Sequence, residues 1–373
     1  MLVVTSVRPS PEGGAAARCL VGLLRGLDAH GVEAHVLCPG SPLALDGALA
    51  EDISVELMRL PRTPRWRTRW WRLVAPLGEL AHKPFSDRLV ERSRDVDLVH
   101  FLEAEAAVAS HLVRCPALVQ LHCLTRRDPR VWNPLREEGR VSIELLRAER
   151  RVRARARWLL VNSAEVAAPL TASRGHAEVV VAPLALDPSD YAPAATLEAP
   201  VAGLIGTARW PPTEQAVRRL LTSVWPLVLE LRPDARLLLA GVGMEREAFA
   251  GLPQHASVEW RGSVPSAAGF LRELGLLLYP LTAGSGAKVK VLEALALGVP
   301  VVTTPEGAEG IFGDGGLTVE TDDRRLALAV AELLGDSARR RSAGDAALAN
   351  FSGHHAPAVA AAPVVELYRR MLA

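Results

Sequence analysis

Short apolar runs of strand length, each introduced by a break, alternate with longer helical stretches through most of this chain, and that alternation constrains the fold more than any other feature. Leu2–Ser6, Glu33–Leu37, Asp97–Phe101, Ala117–Leu121 and Trp158–Val161 read as strands in the first half. Between them, Ala15–His30 has helical periodicity and stops at Gly31, and an Arg/Glu-rich helix runs from about Glu137 to Arg157. Strands that alternate with helices in this way predict a parallel sheet with helices on both faces, an α/β fold.

The stretch from Val181 to Pro200 breaks the pattern. Pro183, Pro188, Pro193 and Pro200 punctuate it, and it reads as an interdomain linker. A second alternating series follows, with strands at Val201–Ile205, Ala235–Ala240, Ser257–Trp260, Leu276–Leu281 and Val299–Thr303 and a helix over Thr213–Leu231 that Pro226 interrupts. A chain of 373 residues has room for two domains. The expected division is a Rossmann-like domain over 1–183, a linker over 184–200, a second Rossmann-like domain over 201–355, and a C-terminal helix over 356–373 that packs back on the first domain. Ligands in such a layout bind at the carboxyl ends of the strands, here in a central cleft that the two domains face.

Composition narrows the function. A formal net charge of +1 gives no global field for nucleic acid, and no nucleic-acid partner is expected. Residues 1–183 hold 26 cationic and 21 anionic side chains, net +5, against 17 and 21, net −4, in the remainder. A basic first half suits an anionic acceptor, and it is equally an ordinary surface asymmetry. Cys19, Cys38, Cys115 and Cys123 have neither zinc-ligand nor redox spacing, so buried reduced thiols are expected. The start Met1-Leu2-Val3-Val4-Thr5 lacks a cationic leader and no apolar run reaches spanning length, which predicts a cytoplasmic protein. High Ala, Arg and Leu with little Lys points to a bacterial source with a GC-rich genome.

Only three lysines occur, and two of them, Lys288 and Lys290, follow the glycine turn Gly284-Ser285-Gly286. The preceding run reads as a strand and Ala287–Leu297 as a helix ended by Gly298-Val299-Pro300. The helix dipole disfavours cations at an N-terminus and attracts anions. A phosphate would resolve the conflict, because backbone N–H groups, dipole and both ammonium groups would converge on it. Glu293 lies in the same apolar helix. It either pairs with Lys290 one turn earlier or accepts from a ligand hydroxyl such as ribose. Neither G-x-x-x-x-G-K-[ST] nor G-x-G-x-x-G after the first strand is present, which argues against a P-loop enzyme and a nicotinamide dehydrogenase. Asp95-Val96-Asp97 offers two carboxylates, too few for a metal site.

The run from Tyr279 to Thr304, extended by Gly307-Ala308-Glu309-Gly310, resembles the donor-binding signature of the retaining family 4 glycosyltransferases (glycosyl transferases group 1). Ile205-Gly206-Thr207-Ala208-Arg209-Trp210-Pro211-Pro212 resembles that family's opening of the second domain, and Pro9-Ser10-Pro11-Glu12-Gly13-Gly14 its first glycine loop. The resemblance implies a GT-B architecture, with the acceptor on the first domain and the nucleotide-sugar donor on the second. It implies that Lys290, with Lys288, contacts the donor phosphates and that Glu293 holds the ribose hydroxyls. Gly284, Ser285 and Gly286 would present N–H groups, and Gly206 and Arg209 would belong to the donor site. Gly13 and Gly14 would admit the donor phosphate or reacting sugar. Two positions depart from the pattern. Ser285 stands where the first Glu of E-x7-E is usual, and Thr207 where a basic residue is usual, with Arg209 as its substitute.

His122 closes the run Ala117–Leu121. A lone histidine at a strand end is often structural, but the resemblance implies a sugar-contacting, catalytic His122 beside Lys290. His100 ends another strand and is placed with the acceptor site. Arg59 to Arg72 holds six arginines with Trp66, Trp70 and Trp71 and no acid. Trp66, Trp70, Leu73 and Leu77 form one helical stripe. It packs on its own domain, grips an anionic or aromatic acceptor, or makes a peripheral membrane contact through residues 59–77. The expected activity is hexosyl transfer, with retention, from a nucleoside diphosphate sugar as co-substrate to a glycan, lipid or small-molecule hydroxyl, without a tightly bound cofactor or a required metal. A sugar-nucleotide epimerase and a non-catalytic donor-fold scaffold are the rivals.

Overall fold

The computed structural model describes residues 1–40, 54–59, 83–128, 130, 132–172, 177–191 and 200–373. It divides into two compact units, Met1–Asp187 with Pro357–Ala373, and Pro188–Ala356.

The first unit carries strands β1 (Leu2–Val4), β2 (His35–Pro39), β3 (Ser54–Met58), β4 (Val99–Leu102), β5 (Ala117–Leu121), β6 (Trp158–Val161) and β7 (Glu178–Val181). They form one seven-stranded parallel sheet in the order β3-β2-β1-β4-β5-β6-β7. Its helices are α1 (Ala15–Ala29), α2 (Lys83–Arg92), α3 (Glu103–Ala107), α4 (Glu137–Arg155) and α5 (Ala164–Thr171). Alternation along β1 divides its side chains between the two faces. Leu2 and Val4 join Phe85, Leu89, Ala148, Val152 and Val166 from α2, α4 and α5, whereas Val3 packs with Leu20 and Leu24 of α1.

The second unit carries β8 (Val201–Ile205), β9 (Arg236–Ala240), β10 (Val258–Gly262), β11 (Leu276–Tyr279), β12 (Val301–Thr303) and β13 (Leu317–Val319) in the parallel order β10-β9-β8-β11-β12-β13. Helices α6 (Pro211–Arg219), α7 (Trp225–Leu231), α8 (Ala267–Leu271), α9 (Val289–Ala296), α10 (Pro305–Ala308), α11 (Asp323–Gly335) and α12 (Ser337–His354) accompany it. The last helix, α13 (Pro357–Leu372), follows the second unit in sequence but belongs to the first. A Cβ on Gly26 of α1 would sit 2.3 Å from the Pro357 carbonyl oxygen and 2.7 Å from Ala361 Cβ, so glycine permits the α1–α13 approach.

Some boundaries differ from the sequence reading. Residues 184–187, expected in the linker, belong to the first unit, with Leu184, Ala185 and Leu186 buried. The helix expected over Thr213–Leu231 opens at Pro211 and widens into a π turn over Leu220–Val224 before Trp225–Leu231. Pro226 has no N–H, and its ring would meet the carbonyl four residues back, so the wide turn relieves that clash. The helix expected from Ala287 begins at Val289, leaving Lys288 before its first turn. Among the described residues no helix is long and apolar enough to cross a membrane.

Candidate active site

Both sheets change direction at their first strand: β1 lies between β2 and β4, and β8 between β9 and β11. The carboxyl ends of strands at such a switch point leave a crevice for ligand. The sequence-predicted residues that the structure describes, His100 excepted, collect there, in one set per unit.

In the second unit, β11 is buried throughout and Pro280 ends it, since proline cannot donate to the ladder. The turn that follows needs left-handed backbone at Gly284 (φ 134°) and Gly286 (φ 78°). Gly286 has both backbone groups occupied. Its N–H donates to Glu309 Oε1 at 2.9 Å, and its carbonyl accepts from the Lys288 ammonium. Lys288 Nζ also lies 4.0 Å from Glu309 Oε2, and the two side chains are only 4% and 3% exposed. The Lys288–Glu309 pair therefore clamps the glycine turn from within. Thr304, which caps α10, anchors the adjoining segment by donating from Oγ1 to the Leu281 carbonyl at 2.7 Å.

Lys290 differs from Lys288. It sits on the first turn of α9, partly exposed, with Nζ 5.6 Å from the centroid of Trp210 and 5.9 Å from that of Tyr279. Two aromatic faces hold the ammonium without neutralising it. Trp210 also flanks the turn, since a Cβ on Gly284 would be 3.7 Å from its ring. Glu293, on the same helix, is 2% exposed, and its Oε1 accepts from the Tyr191 hydroxyl at 2.9 Å. Gly206 follows β8. A Cβ there would meet Thr213 Cγ2 at 2.6 Å, and one on Gly241 (φ 125°) would lie 1.8 Å from the Gly206 carbonyl oxygen. These glycines let the β8 and β9 loops run against each other. Arg209 is exposed.

In the first unit, Gly14 caps α1, and among the described residues nothing lies within 4 Å of a Cβ built on it. Gly13 is tighter, with Ala17 Cβ at 2.7 Å from such an atom. His122 follows β5. Its Nδ1 bonds the Glu103 carboxylate, and its Nε2 lies 2.9 Å from Gln120 Nε2. Gln120 also donates to Asn162 Oδ1 at 3.3 Å, and Asn162 to the Ala182 carbonyl at 2.9 Å. Gln120, His122 and Asn162 border a cavity of about 30 Å³, space for one water. Burial alone would lower the His122 pKa, but the charge and hydrogen bond of Glu103, and then the charge of Glu105, raise it above the ordinary value. Burial, and secondly Glu103, push the Glu105 carboxyl up to about 7.

Several assignments are corrected by this geometry. His100 does not end its strand: β4 runs on to Leu102, so His100 is mid-strand, paired with Val3 and Leu118. It is fully buried, with Nδ1 2.7 Å from the Tyr368 hydroxyl, and burial brings its pKa down to about 3. It is an internal neutral histidine and lines no acceptor surface. Lys288 is turned inward rather than toward a phosphate, and the Gly286 N–H is taken by Glu309. Trp66 and Trp70 lie outside the described residues. Glu103, Tyr191, Trp210 and Glu309 were assigned no role from sequence. Glu309 and Trp210 carried a signal, inside the quoted runs Gly307-Ala308-Glu309-Gly310 and Ile205 to Pro212; Glu103 and Tyr191 carried none.

The family description "Glycosyl transferases group 1" matches residues 199–336, and "Glycosyl transferase 4-like domain" matches residues 13–185. No curated protein matches the sequence. Among solved structures, HepE of Anabaena in complex with UDP and glucose is similar over 99% of both chains at 18% identity and a TM-score of 0.67. Sucrose-phosphate synthase from Thermosynechococcus elongatus is similar over 99% of this chain and 98% of its own, at 16% identity and a TM-score of 0.68. TarM of S. aureus, in complex with fondaparinux, α-GlcNAc-glycerol and UDP, is similar over 99% of both chains at 9% identity and a TM-score of 0.69. At these identities the structural likeness bears on fold: two Rossmann-like units of the GT-B kind.

Proposed function

The chain belongs to the group 1 glycosyltransferases, and from that premise we propose that it transfers a hexosyl group, with retention, from a nucleoside diphosphate sugar to an acceptor hydroxyl. The observation that carries the reading is Lys290, a partly exposed ammonium set between Trp210 and Tyr279 beside the Gly284 turn. It is a fixed positive charge at the carboxyl end of β11, next to the switch point, where a diphosphate would lie.

The chemistry breaks the bond between the anomeric carbon and the diphosphate oxygen. Negative charge grows on that oxygen and positive charge on the sugar ring. Lys290 meets the first, and because its rings already hold it in place, little reorganisation is needed as the charge develops. Lys288 and Glu309 act one step back by fixing the Gly286 backbone. Glu293, steadied by Tyr191, offers a carboxylate to the ribose hydroxyls. His122 faces the transferred sugar. With retention, the acceptor oxygen bonds the anomeric carbon on the face the diphosphate leaves, and its proton passes to the departing phosphate oxygen. No protein nucleophile enters this scheme, and Ser285, where a carboxylate is usual, is compatible with it. The acceptor, a glycan, lipid or small molecule, falls to the first unit, with Gly13 and Gly14 at the loop that admits the donor.

Thermal shift tests the reading. UDP-, GDP-, dTDP- and ADP-sugars are each added to wild type and to Lys290→Ala. A donor at 100 times its Kd stabilises by about 2.7 kcal/mol. One nucleotide class should raise the wild-type melting temperature, and the raise should vanish in the variant although the unliganded variant melts as wild type does. The reading fails if no donor shifts wild type, or if the variant shifts equally. The anomeric configuration of the product, read by NMR, decides retention.

A further inference from the structure

Glu103 is the one residue other than glycine with positive φ (70°) among the described residues. A Cβ makes that conformation costly, and nothing in the turn after β4 demands glutamate in place of glycine. Strained backbone of this kind persists where the side chain it delivers is needed. What it delivers is a carboxylate at Nδ1 of His122, across the carboxyl ends of the neighbouring strands β4 and β5.

We propose that Glu103 is a positioning residue: from its left-handed backbone it grips Nδ1 of His122, fixes the ring's orientation, and sets a carboxylate against it at the carboxyl edge of the first sheet. The consequence for catalysis rests on the transferase reading above; the geometry does not. The two side chains keep 26% (His122) and 29% (Glu103) of their surface exposed, so the ring is held yet reachable. The electrostatics agree in direction, since the charge and hydrogen bond of Glu103, with the charge of Glu105, together outweigh the burial that would discharge the ring. When neutral, the ring accepts at Nε2 from the Gln120 amide. When it is a cation both nitrogens donate. Gln120 then meets it by turning its Oε1, which has no partner among the described residues, toward Nε2, or yields that N–H to a ligand oxygen. The charged and titratable groups that act on the ring are Glu103 and Glu105 from α3 and His100 from β4; Arg130, from the loop after β5, and Glu144 of α4 act on Glu105, and Asp128 and Arg130 act on the neighbouring Cys123. Of these only Glu103 is hydrogen-bonded to the ring, so it is the group whose removal discharges it.

The test uses full-length protein labelled at histidine, with His122→Asn to assign the resonance and Glu103→Gln and Glu103→Gly as variants. NMR titration reads the ring directly. Wild-type His122 should titrate above free histidine and fall in both variants, where only the charge of Glu105 still opposes burial. Release of nucleoside diphosphate from the donor in water, the probe of turnover, should drop roughly ten- to a hundredfold at pH 7 in Glu103→Gln, the worth of one charged hydrogen bond. The alkaline fall of kcat/KM should move to lower pH with the ring. Glu103→Gly relieves the backbone and should melt higher than wild type while losing the same activity, which separates positioning from folding. An unmoved His122 titration in Glu103→Gln overturns the proposal, and so does a Glu103→Gly that is more stable with its pH profile intact. If wild type itself releases nothing from any donor, the transferase reading fails, and the titration still decides the Glu103–His122 pair.

Discussion

Lys288 and Glu309 give the sharpest stability prediction. Their charged atoms are 4.0 Å apart, and the side chains are 4% and 3% exposed, so water screens them little. At an effective dielectric of about 20, unit charges at this separation attract by about 4 kcal/mol. Lys288→Met keeps the length and removes the charge. Glu309 is then left buried with the Gly286 N–H but without its cation, a situation that costs roughly 3–5 kcal/mol. For a unit the size of Pro188–Ala356 that is a fall in Tm on the order of 10 °C. Denaturant unfolding of the full chain should show the loss in one transition and spare the one that belongs to the first unit. Lys288→Met with Glu309→Gln together should cost less than the sum of the singles, because the second change removes the charge that the first left stranded. A loss below about 1 kcal/mol for Lys288→Met, or strict additivity in the double variant, would refute the internal clamp and return Lys288 to the solvent side of the turn.

Two further outcomes follow from single positions. Gly241→Ala places a Cβ 1.8 Å from the Gly206 carbonyl oxygen on a backbone with φ of 125°. It should destabilise the second unit by roughly 3 kcal/mol or more, and donor-induced stabilisation should go with it; a wild-type unfolding curve would contradict the packing. Burial first, and the Glu103 charge second, raise the Glu105 carboxyl from 4.5 to about 7. The folded chain therefore holds a proton that the unfolded chain releases across that window, and wild-type stability falls as pH rises through it. Glu105→Gln has no proton to lose, so its stability relative to wild type should grow from pH 4.5 to 7 and level above. Parallel curves in urea across that range would show that the carboxyl is not raised.

The sheet interior was legible in the sequence, and its edges were not. Ala117–Leu121, Trp158–Val161 and Val201–Ile205 read as strands at their observed bounds because each is a short run of mostly apolar residues between breaks. Ser54–Met58, Glu178–Val181 and Leu317–Val319 went unread. All three are edge strands with partly exposed side chains, so no uninterrupted buried run marks them. The glycine turn, Lys290 and Glu293 stood out for a related reason: their signal is a spacing within one segment. Their partners do not share it, since Tyr191 is 102 residues from Glu293 and Glu309 is 23 from Gly286. Periodicity reports how one segment is buried and is silent about what it meets.

The sheet order supplies what periodicity lacks. In the register of β4 and β5, Leu102 pairs with Gln120, so the residues just past each strand end emerge side by side, and these include Glu103 and His122. The pairing of β11 with β12, Tyr279 opposite Thr303, does the same for the Gly284–Gly286 turn and the segment that ends in Glu309. Both clusters therefore follow from two premises, a parallel sheet and a switch point at its first strand, applied to residues one to seven positions past a strand end. The same geometry explains why His100 misled the sequence reading. His100 lies two residues short of the strand end, which moves its side chain from the crevice into the layer between sheet and helix. There the histidine meets Tyr368 of α13, and burial holds it neutral. Function at this edge depends on where a strand stops more than on which residue types it carries, and β4 stops where Glu103 takes up a conformation that suits glycine.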